Sequence, residues 1–299
     1  MEFIKPGVNI DFISKRKIFI SISLALIIIG LISIAMKKGL KYGIDFAGGT
    51  IIQVKFNKSI TIEDLRKIVK KAKIQNFGDS GNEFLIRYSL TEADTEKLQQ
   101  DLKNKLIKNF GKNSFEIRRV EMVGPKIGKD LRKKGAIAIL ISLIGILIYV
   151  TLRFEFRFAL GAVIALFHDV LITLGIFSIL NKEFDLTVVA AFLTIVGYSL
   201  NDTIIVFDRI RENMKKYVKG YFPNIINKSI NETLSRTILT SGTTLFVVLA
   251  LFLFGGGVIH DFALALLIGI IVGTYSSIYI ASPILLFFEK KSKWKMNQH

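Results

Sequence analysis

The chain has 299 residues, 51% of them hydrophobic and 22% charged, and its mean hydropathy is +0.47. With 24 Phe and long apolar runs it is not a disordered chain, and the absence of cysteine excludes disulfides, thiolate nucleophiles and Cys-ligated metals. Three histidines (His168, His260, His299) are too scattered for a His-built metal cage, and a net charge of +17 admits nucleic acid, anionic lipid or membrane topology until its location is known.

From the N-terminus, a basic Lys15-Arg16-Lys17 prelude leads into a first apolar run, residues 18–36. Ser33 and Ala35 near its end fit a signal-peptide cleavage pattern, but the run exceeds the usual core of roughly 7–15 residues, so a retained helix is expected.

Residues 37–134 have the texture of a separate domain. Ile51, Gln53 and Lys55 alternate with Ile52, Val54 and Phe56, which predicts a strand. A helix is predicted over 61–72, with Thr61 as N-cap, Glu63 and Asp64 in the first turn and Lys67, Lys70 and Lys71 later. Strands are predicted at 74–77 and 83–88 around a Gly78-Asp79-Ser80-Gly81-Asn82 turn. A second helix over 91–110 opens on a Thr91…Asp94 cap and carries Leu98, Leu102 and Leu106 at four-residue steps, and a fourth strand covers 114–122. The order β-α-β-β-α-β predicts a ferredoxin-like α+β unit with both helices on one face of the sheet. It contains no enzyme motif. Its 23 basic residues against 12 acidic ones come without the aromatic pattern of an RNA-binding sheet, so no nucleic-acid partner is expected. The excess reads as a solvated basic face, or as a surface for an anionic or unfolded partner.

Five further runs follow, at 135–152, 158–180, 186–207, 237–257 and 262–288. With the first they make six, each near the ~20 residues that cross a ~30 Å hydrocarbon core as a helix, and none alternates as a barrel strand does. Pro283 is expected to mark a kinked or interfacial end of the last. The fold class predicted is an α-helical membrane protein of six transmembrane helices with one α+β exterior domain. Its divisions are 1–36 (N-terminal segment and first helix), 37–134 (exterior domain), 135–289 (helices two to six) and 290–299 (tail). The N-terminal segment, the 153–157 loop, the 208–236 loop and the tail together carry seventeen Lys and Arg, against Lys182 alone in the loops 181–185 and 258–261. That bias puts both termini in the cytoplasm and 37–134 outside.

Carboxylates inside membrane helices are expensive and are functional candidates by default. Asp169 is the midpoint of the third run, beside His168, and Asp202 lies in the fourth. The counter-charge expected for Asp202 is Arg236, at the start of the fifth helix, from which Thr240 and Thr243 follow with Thr237, Ser241 and Thr244 beside them. Such a group suits proton movement, since desolvation raises a carboxylate's pKa and a guanidinium lowers it, while a static ion pair joining two helices is the structural alternative. Small residues repeat at Ala265, Gly269, Gly273 and Ser277 in the sixth helix and at Ala190, Thr194 and Gly197 in the fourth. These read as core packing within the chain or as a seam with another chain, with packing within the chain the expectation for any single glycine.

Several motifs carry a family resemblance. Gly43-Ile44-Asp45-Phe46-Ala47-Gly48-Gly49 follows the first helix, Val123-Gly124-Pro125 precedes the second, and Phe158-Ala159-Leu160-Gly161 leads to His168-Asp169. Gly197-Tyr198-Ser199-Leu200-Asn201-Asp202-Thr203 and its continuation to Glu212 fill the fourth, and Ser235-Arg236-Thr237 with Thr240-Ser241 opens the fifth. Together they closely resemble the SecF family, the smaller subunits of the SecDF protein-export complex. The resemblance implies the RND superfamily, with this chain as one half, and a bacterial inner membrane. It also implies SecD as a partner with six more helices, often with YajC, the SecYEG channel and an unfolded polypeptide in transit. Proton flux at the SecD–SecF interface would then drive motion of the exterior domain. Asp202 and Arg236 are the implied proton-pathway residues, joined here by Asp169, Asn201 and Thr240, while Asp45, Gly48 and Gly49 fall at the hinge to the exterior domain, where the glycines supply backbone flexibility. No catalytic residue, cofactor or metal is expected, and no Walker A motif is present. Two other classes remain open at this point, a small-molecule exporter of the same superfamily and a non-transporting assembly or insertase factor.

Overall fold

The structure, a computed structural model, describes residues 9–70, 72–77, 81–89, 95–217 and 221–288. Six of its helices are long and apolar enough to cross a membrane: α1 (Arg16–Met36), α5 (Pro125–Arg153), α6 (Phe156–Ile179), α7 (Leu186–Lys216), α8 (Phe222–Phe254) and α9 (Gly256–Ser276). Several outrun the apolar stretches that predict them. Pro125 at the first helical position starts α5 ten residues early, and α7 and α8 extend through most of the expected 208–236 loop. Pro283 does not end the last helix either. The chain passes from α9 through a π turn, Ser277–Ala281, and stays helical to residue 288. A π turn is one of the few devices by which a helix absorbs a local change of course.

α6, α7 and α9 form the inside of the bundle, while α1, α5 and α8 lie around them with large apolar side chains exposed, among them Ile18, Leu152 and Phe246. Every backbone group of a spanning helix is satisfied within the helix, so lipid can meet such faces directly. α1 and α6 cross at two glycines, where a Cβ on Gly30 would lie 2.7 Å from the Cα of Gly175. That approach admits no side chain.

The remaining elements are α2 (Ile44–Ala47), β1 (Gly49–Phe56), α3 (Ile62–Ile68), β2 (Ala72–Asn76), β3 (Glu83–Ser89), α4 (Thr95–Phe110) and β4 (Phe115–Val123). The sheet order is β2-β3-β1-β4 with every pair antiparallel, as the ferredoxin-like split unit requires. Ile52, Val54 and Phe56 of β1 are fully buried against Phe84, Ile86, Leu65, Leu102 and Leu106, so the alternation read from the sequence faces the helices as expected. α3 is shorter than predicted. It stops at Ile68 because Val69 turns extended (φ −102°, ψ 80°) to feed β2, which begins at Ala72. The Thr91 cap, residues 78–80 of the expected turn and the 290–299 tail lie outside the described residues.

Candidate functional site: two buried carboxylates and a joint

The two carboxylates of the apolar runs point into the contact among α6, α7, α8 and α9. Asp169 is 1% exposed and Asp202 4%. Thr237 of α8 donates to Oδ1 of Asp202 at 2.9 Å, and Ser277 donates to Oδ2 at 3.2 Å. Asp169 accepts on Oδ2 from Ser199 of α7 at 2.6 Å and from Ser276 of α9 at 2.9 Å, and its Oδ1 lies 2.9 Å from Nδ1 of His168. Consecutive serines therefore serve carboxylates on two different helices, as the ~100° step between neighbouring helical positions allows. Ser277 also opens the π turn, and its carbonyl accepts from Ser282 Oγ at 2.7 Å.

Hydroxyls suit a group that changes protonation. A hydroxyl donates to a carboxylate and accepts from a carboxylic acid, so either state of Asp202 can be satisfied in place. A guanidinium would satisfy only the ionised state. Arg236 does not pair with Asp202, contrary to expectation. It is exposed on the outward face of α8 with Leu239, Thr243 and Phe246, and Thr237, one position on, turns inward instead. Thr240 is half-buried and donates to the Arg236 carbonyl at 2.8 Å, while its own carbonyl accepts from Tyr198 Oη at 3.1 Å. Asn201 is exposed, so the adjacent Asn201 and Asp202 look out of and into the bundle respectively.

The small-residue repeats divide in the same way. On α9, a Cβ at Gly269 would fall 2.3 Å from Ile195 Cδ1, and one at Gly273 would fall 2.9 Å from Ser199 Cβ, so this repeat closes α9 onto α7. The α7 repeat overturns its expectation. Ala190, Thr194 and Gly197 are exposed, a Cβ on Gly197 would meet nothing within 4 Å, and Asn201 continues the stripe.

A second assembly joins the sheet to the bundle. Gly48 takes φ 79° and ψ 161°, a region that only glycine visits readily, and Gly49 takes φ +147° with its Cβ position 2.5 Å from the Tyr88 carbonyl oxygen. Ahead of them, Asp45 Oδ2 accepts from the Leu186 N–H at 3.1 Å and Asp185 Oδ1 from the Val188 N–H at 2.9 Å, so two carboxylates cap the start of α7. In the turn between α6 and α7, Glu183 is 8% exposed and meets Arg87 of β3 at 2.5 Å, Lys73 of β2 at 3.1 Å and Lys41 at 3.5 Å. The backbone pairs beside it, Phe184 N–H to Lys41 O at 2.8 Å and Gly43 N–H to Phe184 O at 3.0 Å. Phe184 packs between Phe46, whose ring is tilted to it, and Phe192, which it meets edge-on. Sequence reasoning missed Glu183, Ser199 and Ser276. The available signal was a pair of carboxylates, Glu183 and Asp185, in a five-residue turn facing a domain rich in cations, and hydroxyls inside otherwise apolar runs.

The turn's carboxylates are set in opposite directions. Burial pushes Glu183 up, but Arg87, Lys73 and Lys41 outweigh it and hold the group below its ordinary range. Burial pushes Asp185 above the ordinary range, against the Val188 N–H that lowers it. A depressed acid contributes stability that is present at neutral pH and lost only as pH falls through its lowered pKa. A raised acid holds its proton more tightly in the closed state than in the open one, so acidification through its pKa should leave amide exchange at Val188 no faster. Gly43 and Phe184, by contrast, should exchange faster well below the ordinary glutamate value of ~4.3. Exchange rates corrected for intrinsic pH dependence check this, and faster exchange at Val188 ahead of Gly43 and Phe184 would contradict it.

A family model described as "Protein export membrane protein SecD/SecF, C-terminal" matches residues 102–291, and one described as "SecD/SecF GG Motif" matches residues 34–60. A protein translocase subunit SecF of Calditerrivibrio nitroreducens is 51% identical, over 98% of this chain and 98% of its own length. One from Vibrio alginolyticus is 50% identical over 95% of this chain and 91% of its own. The crystal structure of SecDF, a translocon-associated membrane protein from Thermus thermophilus, superposes with a TM-score of 0.82 at 37% identity. That match covers 95% of this chain but only 39% of the solved one. With six membrane-length helices, a ferredoxin-like sheet and a GG-motif join all matched, the chain belongs to the SecD/SecF family of protein-export membrane proteins, on the SecF side.

Proposed function

We propose that this chain is the SecF half of a proton-driven motor that assists protein export through the Sec channel. The observation that carries the reading is Asp202, buried within a membrane span and held only by hydroxyls among the described residues. Asp169 lies one serine away along α9. One proton crossing 100 mV delivers ~2.3 kcal/mol, enough to bias a conformational equilibrium about fiftyfold. Asn201 and Arg236 belong to the open side of the pathway, with Thr240 between them and the interior. SecD is the partner that covers that side. The exposed α7 stripe of small residues and the exposed arginine on α8 support this placement, since close helix approach and an intramembrane cation both call for a protein neighbour.

In this reading the chain sits in a bacterial inner membrane with both termini cytoplasmic. Residues 37–134 face outward, toward a translocating unfolded polypeptide, and SecYEG and YajC complete the assembly. Asp45, Gly48 and Gly49 form the hinge end of the outward domain. The test is Asp202→Asn, co-reconstituted with SecD and the channel in proteoliposomes after assembly has been verified. Loss of the export stimulation that an imposed proton gradient provides is expected, with gradient-independent export retained. Persistent stimulation would assign the carrier elsewhere, and failure of assembly would make Asp202 structural.

A further inference from the structure

We propose that Glu183 is a positioning residue that clamps the four-stranded domain onto the α6–α7 turn, making residues 183–186 the joint through which movement of α7 reaches the sheet. The inference rests on the motor reading above.

Covalently, the sheet hangs from α1 on one side and α5 on the other. Neither carries a buried carboxylate, and both expose most of their surface. α7, which carries Asp202, has no covalent tie to the sheet. Its contact is made by four consecutive residues. Glu183 binds Lys73 and Arg87 on neighbouring strands and Lys41 in the chain entering α2. Phe184 pairs its backbone with Lys41 and Gly43. Asp185 caps α7 from the turn itself, and Leu186 gives its N–H to Asp45, three residues before the glycine exit at Gly48.

Two features make this a joint and not a passive surface contact. Asp45 caps the first N–H of α7, so displacement of that helix acts on α2 and on the glycines that start β1. Glu183 is also the shared anion of three cations, with Arg87 itself largely buried. Replacing it by a neutral group leaves the largely buried Arg87 without its anion and beside Lys41 and Lys73, which weakens the contact between the surfaces. The other charges at the turn are paired differently. Lys182 binds Asp261 at 2.8 Å, and Asp45 and Asp185 face the α7 amides.

The experiment uses the full chain in complex with its partner subunit, with two readouts: amide exchange at Gly43, Phe184 and Leu186, and gradient-stimulated export in proteoliposomes. Glu183→Gln is expected to raise exchange at these amides by roughly tenfold or more, as loss of a buried charge pair would. It should abolish most of the gradient's stimulation and leave gradient-independent export unchanged. The charge swap E183R with R87E should restore both readouts in part, which a merely structural role would not produce. If Glu183→Gln fails to fold, Lys73→Gln at the exposed rim should show the same two changes at smaller size. Unchanged exchange would overturn the clamp. Raised exchange with full stimulation would overturn the transmission, and a swap that restores neither would overturn the electrostatic basis. Asp202→Asn run in parallel separates the two levels. If it too keeps full stimulation, the motor reading fails and the transmission with it, while the exchange data still decide the clamp.

Discussion

Gly273→Leu is expected to break the bundle, and Gly197→Leu, an identical change on the helix opposite, is expected to leave it standing. At Gly273 a Cβ would already lie 2.9 Å from Ser199 Cβ and 3.0 Å from its Oγ. The three further carbons of leucine must separate α9 from α7. Overpacking of this kind costs about 1–3 kcal/mol, and loss of the Ser199 donor to buried Asp169 adds about 1–3 kcal/mol. The variant should accumulate poorly and unfold at clearly lower temperature in detergent. A Cβ on Gly197 meets nothing within 4 Å, so the chain's own stability should change by less than about 1 kcal/mol. What Gly197→Leu should lose is co-purification with SecD, because small residues permit close helix approach. If both variants destabilise the isolated chain equally, the α7 stripe packs within the chain. If Gly197→Leu binds SecD normally, the seam lies on another face.

The second large effect is expected at the glycine exit. Gly49→Val puts a β-branched side chain at φ +147° with its Cβ 2.5 Å from a backbone oxygen of β3, which has no room to retreat while Gly49 pairs with Ser89 and Val123. Strain of this kind costs about 1–3 kcal/mol and the clash adds to it, so the start of β1 should detach. At about 3 kcal/mol the population of the opened sheet rises roughly hundredfold, and limited proteolysis between residues 49 and 123 should rise in proportion. Gly48→Ala, at φ 79° and ψ 161°, should act in the same direction to a smaller extent. Proteolysis unchanged by Gly49→Val would mean that β1 accommodates a side chain at its start and that the close approach to Tyr88 does not hold the strand there.

The amino-acid sequence by itself determined the number of spans, the sheet unit and the identity of the two carboxylates buried within the spans. Each of these follows from a local physical rule. An apolar run of membrane length has no stable place outside lipid, alternation at Ile52, Val54 and Phe56 admits one buried face, and an aspartate amid such a run must be buried with a partner. The tertiary structure decided who those partners are. Arg236 and Thr237 are neighbours in the chain, yet a helix turns ~100° between them, and only the packing of α8 against α7 and α9 selects the threonine for Asp202. The same rotation sends Ser276 to Asp169 and Ser277 to Asp202, and it leaves Gly273 buried while Gly197 is open. Glu183 shows the limit most plainly. Its partners are 96, 110 and 142 positions away in sequence, on two strands and a connecting segment, and no local pattern encodes a contact that exists only once the sheet has come to rest on the turn.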